Sequence, residues 1–300
     1  MTASIPASDG DAGTAAPSRV SVHAYSAVLR GVTIALSVVA ALNVANLAAH
    51  VAADVFMGTR SAPPFALAMT LAVFSGAPLL AVAALHRFVA ATVDVQAGVV
   101  VVTTRRARIE IPAASIDAVR PLRLPVPGPG VAFAMTSGRR FRYRLVVADP
   151  EVLVDALARA SIAGAAVAHR HATILYASAK RSIGPRRWGW AALKLVVLPL
   201  ALTIILFRLH QVIGYGGALG QYYLLGLKSY VIAFALAGAG TIGGLWVYAA
   251  ICRLLGEGFA LLATWIAPSG ARAIRVVVEG MCLVAYYGLV PAYVAAALLA

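Results

Sequence analysis

Residues 92–104 read TVDVQAGVVVVTT. The stretch alternates and then turns, giving two strands about a Gln-Ala-Gly turn. A period of two is incompatible with a membrane-crossing helix, whose apolar surface repeats every 3.6 residues. The stretch therefore decides the architecture, because nearly everything around it is apolar helix.

The β pattern continues downstream. RARIEIPAASIDAVRPLRL (106–124) supplies two further strands broken at Pro112, PVPGPG (125–130) is a turn-rich connection, and VAFAMTSGRRFRYRLVV (131–147) is a hairpin about Thr136–Gly138. ADPEVLVDALARA (148–160) then starts a helix. Asp149 suits the N-cap, Pro150 the first helical position and Glu151 the positive end of the helix dipole. Val152, Leu153 and Leu157 are expected on the side that packs against the sheet.

Five apolar segments surround this domain: 27–49, 65–85, 190–207, 230–252 and 276–299. Each has the ~20 residues needed to cross ~30 Å of hydrocarbon. An isolated strand cannot satisfy its backbone in lipid, so each is expected to be a helix. The chain is 61% hydrophobic with mean hydropathy +0.87. Ordinary globular domains are about half apolar. The formal net charge is +14, and only Lys180, Lys194 and Lys228 are lysines; the other basic residues are arginines. Alanine, valine and arginine dominate, a composition that suggests a bacterium with a GC-rich genome.

Basic residues cluster in 85–188 and recur at Arg19, Arg30, Arg253, Arg272 and Arg275, while 51–64 and 208–229 are poor in charge. By the positive-inside rule, the N-terminus, the β domain and 253–275 lie in the cytoplasm, with the C-terminus outside. The expected location is the bacterial inner membrane. Residues 1–21 lack an apolar core and read as a disordered tail. The expected organisation is thus a tail (1–21), a transmembrane hairpin (22–86), a β domain (87–178) and three further helices (179–300).

The short strands, the IPAASIDAVR pair (111–120), the hairpin and the closing helix resemble the bacterial pleckstrin-homology-like domain. In many bacterial membrane proteins this domain sits beside or between transmembrane helices. The resemblance covers about residues 87–160. It implies a scaffold or recognition role and brings no catalytic residues. Six strands are read where that fold has seven; either a seventh lies near Arg87 or the barrel is incomplete. The fold class expected is a polytopic α-helical membrane protein of five helices with an inserted cytoplasmic PH-like domain.

Several motifs carry possible chemistry. HQVIGYGG (210–217) has letters of a potassium-channel filter. However, only Arg-Leu-His-Gln separates Phe207 from Val212, which leaves no room for a pore helix, and Val212 stands where the filter threonine would be. A glycine-rich outer loop over 208–229 is the favoured reading. Asn43, Asn46 and His50 share one helix face, either as interhelical glue or, with His210 and Tyr215, as an outer polar pocket. Lys194 and Glu279 each lie about a turn inside a membrane segment, so an ion pair between them is expected, with Arg275 as another partner for Glu279. Gly240 and Gly244 form a GxxxG that permits close helix approach and does not show dimerisation. GEGFALLATWIAP (256–268) is too short to span and reads as interfacial or re-entrant.

Arg105, Arg106, Arg140, Arg142 and Arg144 are the candidate binding residues. The last three alternate along one strand and so should project from one face. Their expected partners are anionic lipid head groups or an acidic membrane protein, and not nucleic acid. A homo-oligomer stays open. His169 and His171 have no third ligand, so no metal is assigned, and no cofactor is implied. Cys252 and Cys282 lack redox or metal spacing. No P-loop, GxSxG, HExxH or dinucleotide fingerprint occurs. The leading reading is a binding or scaffold protein, the runner-up a transporter or channel component using the outer polar face and residues 208–228.

Overall fold

The computed structural model describes residues 18–57, 63–96, 98–184, 188–289 and 291–292. Its first element is a strand, β1 (Ser18–Ser26), which runs directly into helix α1 (Ala27–Met57). Helix α2 follows as Pro64–Leu71, a π turn at Ala72–Gly76, and Ala77–Phe88. Six strands come next: β2 (Ala90–Gln96), β3 (Val99–Thr104), β4 (Arg108–Pro112), β5 (Ile116–Pro121), β6 (Gly130–Met135) and β7 (Arg140–Val146). These six are the strands expected from the sequence.

The seventh strand is not near Arg87. It is β1, and it lies in the middle of an antiparallel sheet of order β4-β3-β2-β1-β7-β6-β5. Ser18 pairs with Val95 and His23 with Ala90 on one side; His23 pairs with Val146 and Ser26 with Tyr143 on the other. This corrects two expected boundaries. Residues 18–21 are strand and not tail, and 22–26 belong to the sheet and not to the transmembrane hairpin. Strict alternation puts Val20, Val22 and Ala24 into the core, and Val22 is fully buried. The signal was short, nine residues with only four apolar, and it abuts a helix with no turn residue between.

The sheet core is closed by helix α3 (Pro150–Arg159), the single turn α4 (Ala165–Ala168) and helix α5 (Ala172–Ser182). Leu153, Val154 and Leu157 are fully buried against the sheet, whereas Val152, expected inside, is exposed. Asp149 holds the N-cap position, but its carboxylate makes no cap bond and meets Arg181 at 2.9 Å.

The remaining helices are α6 (Trp188–Ala192, a π turn at Leu193–Val197, then Leu198–Tyr215), α7 (Gly220–Ile266) and α8 (Ala271–Val284, followed by a π turn at Ala285–Leu289). Among the described residues four helices are long and apolar enough to cross a membrane: Ala27–Asp54, Ala66–Phe88, Trp190–Tyr215 and Gly220–Ile266. The expected fifth segment (276–299) corresponds to α8, and 290 and 293–300 lie outside the described residues. The expected loop over 208–229 shrinks to a tight turn. Helix α6 continues through VIGY, Gly216 caps it in the left-handed conformation (φ 72°), and α7 begins at Gly220. A filter needs extended, carbonyl-exposing backbone, so a helical VIGY excludes that reading. Residues 256–266, expected to be interfacial or re-entrant, simply continue α7.

Helix α7 breaks once, at Gly226 (φ 80°, ψ 171°), a conformation that favours glycine. From there it rises about 60 Å to Ile266, at 1.5 Å per residue. That is about twice the thickness of a bilayer core, so the helix is longer than a single crossing requires. Close helix contacts use Gly238 against Thr203 and Gly243 against Ala68, while Gly244 of the expected GxxxG faces open space.

Replacing Val22 by Asp would bury a carboxylate with no cation at the centre of the sheet. We expect a loss of about 3 kcal/mol or more, read as a lowered unfolding midpoint in detergent, with faster proteolysis between residues 90 and 147. Native-like proteolysis of the variant would show that β1 is dispensable.

Candidate anion-binding site

The five expected arginines fall into two groups. Arg105 and Arg106 lie in the turn between β3 and β4, at the far edge of the sheet. The Arg106 guanidinium stands 5.6 Å from the ring centroid of Phe88, the last residue of α2. Arg140 and Arg144 lie on β7, two strands from the opposite edge, and help to line a groove of about 750 Å³. Arg142, expected on the same face, is not among its lining residues and instead approaches the Tyr143 ring at 5.6 Å. The pairing is irregular here: Ala132 pairs with Arg144 but Ala134 with Arg140, so β7 carries two extra residues between these pairs.

The groove gathers basic groups from distant parts of the chain. Arg120 comes from β5 and Arg123 from the residues just after it. Arg30 comes from the first turns of α1, and His171 from the N-cap of α5. Phe133, Phe141 and Val167 supply apolar walls. Its described lining residues include five arginines and no carboxylate. Arg30 is held in place by the β5–β6 connection, donating to the carbonyl oxygens of Leu124 (2.9 Å) and Val126 (3.3 Å). His171 Nδ1 accepts from the Thr173 backbone N–H at 3.3 Å, which requires an unprotonated Nδ1. Burial, then the positive charge of Arg123, hold its pKa below the ordinary histidine value. Trp265, near the end of α7, packs edge-on against the His171 ring. Chemically the groove can take an anion with several oxygens, because guanidinium forks match phosphate and carboxylate geometry.

The remaining candidates separate. Asn43 is interhelical glue: its amide donates to Ser75 Oγ (2.9 Å) and to the Thr70 carbonyl (3.3 Å), tying α1 to the π turn of α2. His50 Nδ1 lies 2.8 Å from the Asn46 carbonyl oxygen of its own helix. His210 lines a small cavity of about 190 Å³ with Thr203, Phe207 and Thr241, and its ring lies 6.0 Å from that of Tyr215. None of Asn43, Asn46 and His50 lines that cavity, so the expected outer pocket does not form there. His169 meets Asp155 at 2.5 Å.

Glu279 is bonded by Arg275 (2.5 Å), one of its expected partners, and by Arg253 (2.6 Å), which the sequence did not suggest. Both arginines also bind Glu257, at 2.8 and 2.6 Å, as does Lys180 at 3.0 Å. The Tyr176 hydroxyl donates to Glu257 as well. Burial and this carboxylate raise the tyrosine pKa, so it stays a donor. Arg275 is 2% exposed. This network fastens α5 of the sheet domain to α7 and α8. The ammonium of Lys194 stands 4.3 Å from the Tyr286 ring centroid.

At the other junction the fully buried Tyr25 bonds His86 Nδ1 at 3.0 Å, and the His23 and His86 rings stack at 3.5 Å. The pKa of His23 is lowered, first by burial and then by the neighbouring ring.

Fold and site together define a helical chain with membrane-spanning potential that carries an arginine-lined sheet domain. No protein-family model, curated protein or solved structure matches it.

Two outcomes are expected. A histidine with a depressed folded pKa adds stability above its unfolded value of about 6.5, and that stability is lost as pH falls through the window down to the depressed value. The thermal midpoint should therefore drop between pH 7.5 and 5.5, and less so in a His23→Gln, His171→Asn double variant. Separately, Arg275→Met leaves two carboxylates without their buried cation. It should cost about 3–5 kcal/mol and raise hydrogen exchange across 172–182.

Proposed function

We propose that the chain is a multi-pass protein of the bacterial inner membrane, with a cytoplasmic, PH-like sheet domain that binds the phosphate groups of anionic lipids in the adjacent leaflet. The observation that carries this reading is Arg30. It belongs to a helix with membrane-spanning potential and lines the groove with Arg120, Arg123, Arg140 and Arg144. A groove sharing a residue with the first turns of such a helix lies at head-group level. Arg106 beside Phe88 supplies a second basic contact at the base of α2. Each basic residue near an anionic surface contributes ~1 kcal/mol, so the set supports stable docking and not mere orientation. Positive charge near the inner leaflet also satisfies the positive-inside rule, but that rule does not require convergence on one concave surface.

The test uses the full chain in nanodiscs, because β1 is needed to complete the sheet. Hydrogen exchange is followed in phosphatidylcholine alone and with one lipid in three replaced by phosphatidylglycerol. We expect added protection across 118–144 in the anionic discs. It should be lost at about 1 M salt and in an Arg140→Gln, Arg144→Gln variant. Equal exchange in both discs would overturn the reading. Protection that appears only when membrane extract proteins are added would point to an acidic protein partner instead.

A further inference from the structure

Two of the π turns face each other across a cleft. Leu193–Val197 interrupts α6, and Ala285–Leu289 continues α8. A π turn inserts a residue into the helical ladder, bulging the helix and leaving carbonyls unpaired, and such turns recur at functional sites. Here the carbonyls of the first turn are taken up from neighbouring helices. Tyr286 donates to the Lys194 oxygen (2.8 Å), and the Trp246 indole donates to the Leu195 oxygen (2.9 Å). These bonds fix the bulges in place and hold α6, α7 and α8 apart around a volume of about 570 Å³.

The cleft is amphipathic along its length. Lys194, Arg253 and Glu279 sit at one end; counted with Glu257, Arg275 and Lys180, which bond to Arg253 or to the carboxylates, this cluster of described residues holds four cations and two carboxylates. Trp190, Trp246 and Leu283 form apolar walls and are each exposed, so the cleft opens sideways, toward lipid in a membrane. Trp246, Leu195 and Ala250 also line a second cavity of about 480 Å³ on their other side. That cavity is almost wholly apolar, bounded by Val44, Leu71, Leu79 and Ile242, with Ser75 the one hydroxyl among its described lining residues. The third π turn, Ala72–Gly76, contributes to its wall.

We propose that this pair of cavities holds one anionic phospholipid from the surrounding bilayer. Its phosphate lies at Lys194, at the edge of this net-positive cluster, and one acyl chain passes along Trp246 toward the apolar chamber. The net positive end selects an anion, and the apolar walls gain from each methylene they shield. The site is separate from the arginine groove, shares no residue with it, and does not depend on the reading given to that groove.

The test is native mass spectrometry of the delipidated full chain, titrated with dioleoylphosphatidylglycerol or dioleoylphosphatidylcholine. The same titration in the Arg140→Gln, Arg144→Gln background reads the two sites apart. We expect one phosphatidylglycerol to bind at least about fivefold more tightly than phosphatidylcholine, in both backgrounds. Lys194→Gln should weaken it about fivefold, the equivalent of one basic contact. Leu283→Trp, a change at an exposed cleft wall, should abolish it by filling the cleft. Absence of a preference for phosphatidylglycerol overturns the proposal, as does retention unchanged in both cleft variants. Loss of the bound lipid in the groove background alone assigns it to the groove and equally overturns the cleft.

Discussion

The antiparallel pairing of β1 with both β2 and β7 is the constraint on which the rest depends. Without it the sheet falls into two three-stranded halves, β4-β3-β2 and β7-β6-β5. The strand also sets the membrane arithmetic. β1 precedes α1 and β2 follows α2, and the two strands are hydrogen-bonded along six register pairs. Their ends must lie on one side of any bilayer, so if α1 crosses, α2 must return. The pairing of α1 with α2 as a hairpin thus follows from backbone hydrogen bonds, whatever the charge distribution says.

The sheet domain is attached to the helices at two junctions with opposite chemistry. The first is compact and aromatic: Tyr25, His23 and His86 lock the end of β1 against the foot of α2. The second is ionic, with Glu257 and Glu279 shared among Arg253, Arg275 and Lys180. Two carboxylates among several cations make each acid indispensable to its neighbours, since a buried charge left unpaired is far more costly than a neutral one. The groove lies between these two anchorages. Arg30 reaches it from the first and His171 from the second.

Much of this was legible in the sequence, and what was not has identifiable physical causes. Strands β2–β7 and helix α3 announced themselves through alternation, turn residues and the Asp-Pro-Glu start. β1 did not, because its short alternating run lacks a bounding turn and merges with helix. The length of α7 was hidden by hydropathy, which drops at Arg253 and Glu257 although the helix continues into an ionic neighbourhood. The basic character of the domain was plain, but the groove was not. Arg30 is about ninety residues from Arg120 and Arg123 in sequence, and Arg142 does not join Arg140 and Arg144 in lining the groove. Asn43 could be read as glue from its place on a helix; its partner Ser75 depends on a π turn that no sequence period reveals.

Helix α7 joins a glycine break at one end to an aromatic contact with His171 at the other, through about 60 Å of uninterrupted hydrogen-bonded backbone. Mechanically that is a lever. With Gly226 as fulcrum, a tilt of about 10° carries Trp265 through about 10 Å, by the helix rise alone. A change of angle at that break is therefore largest where Trp265 meets His171, at the rim of the groove.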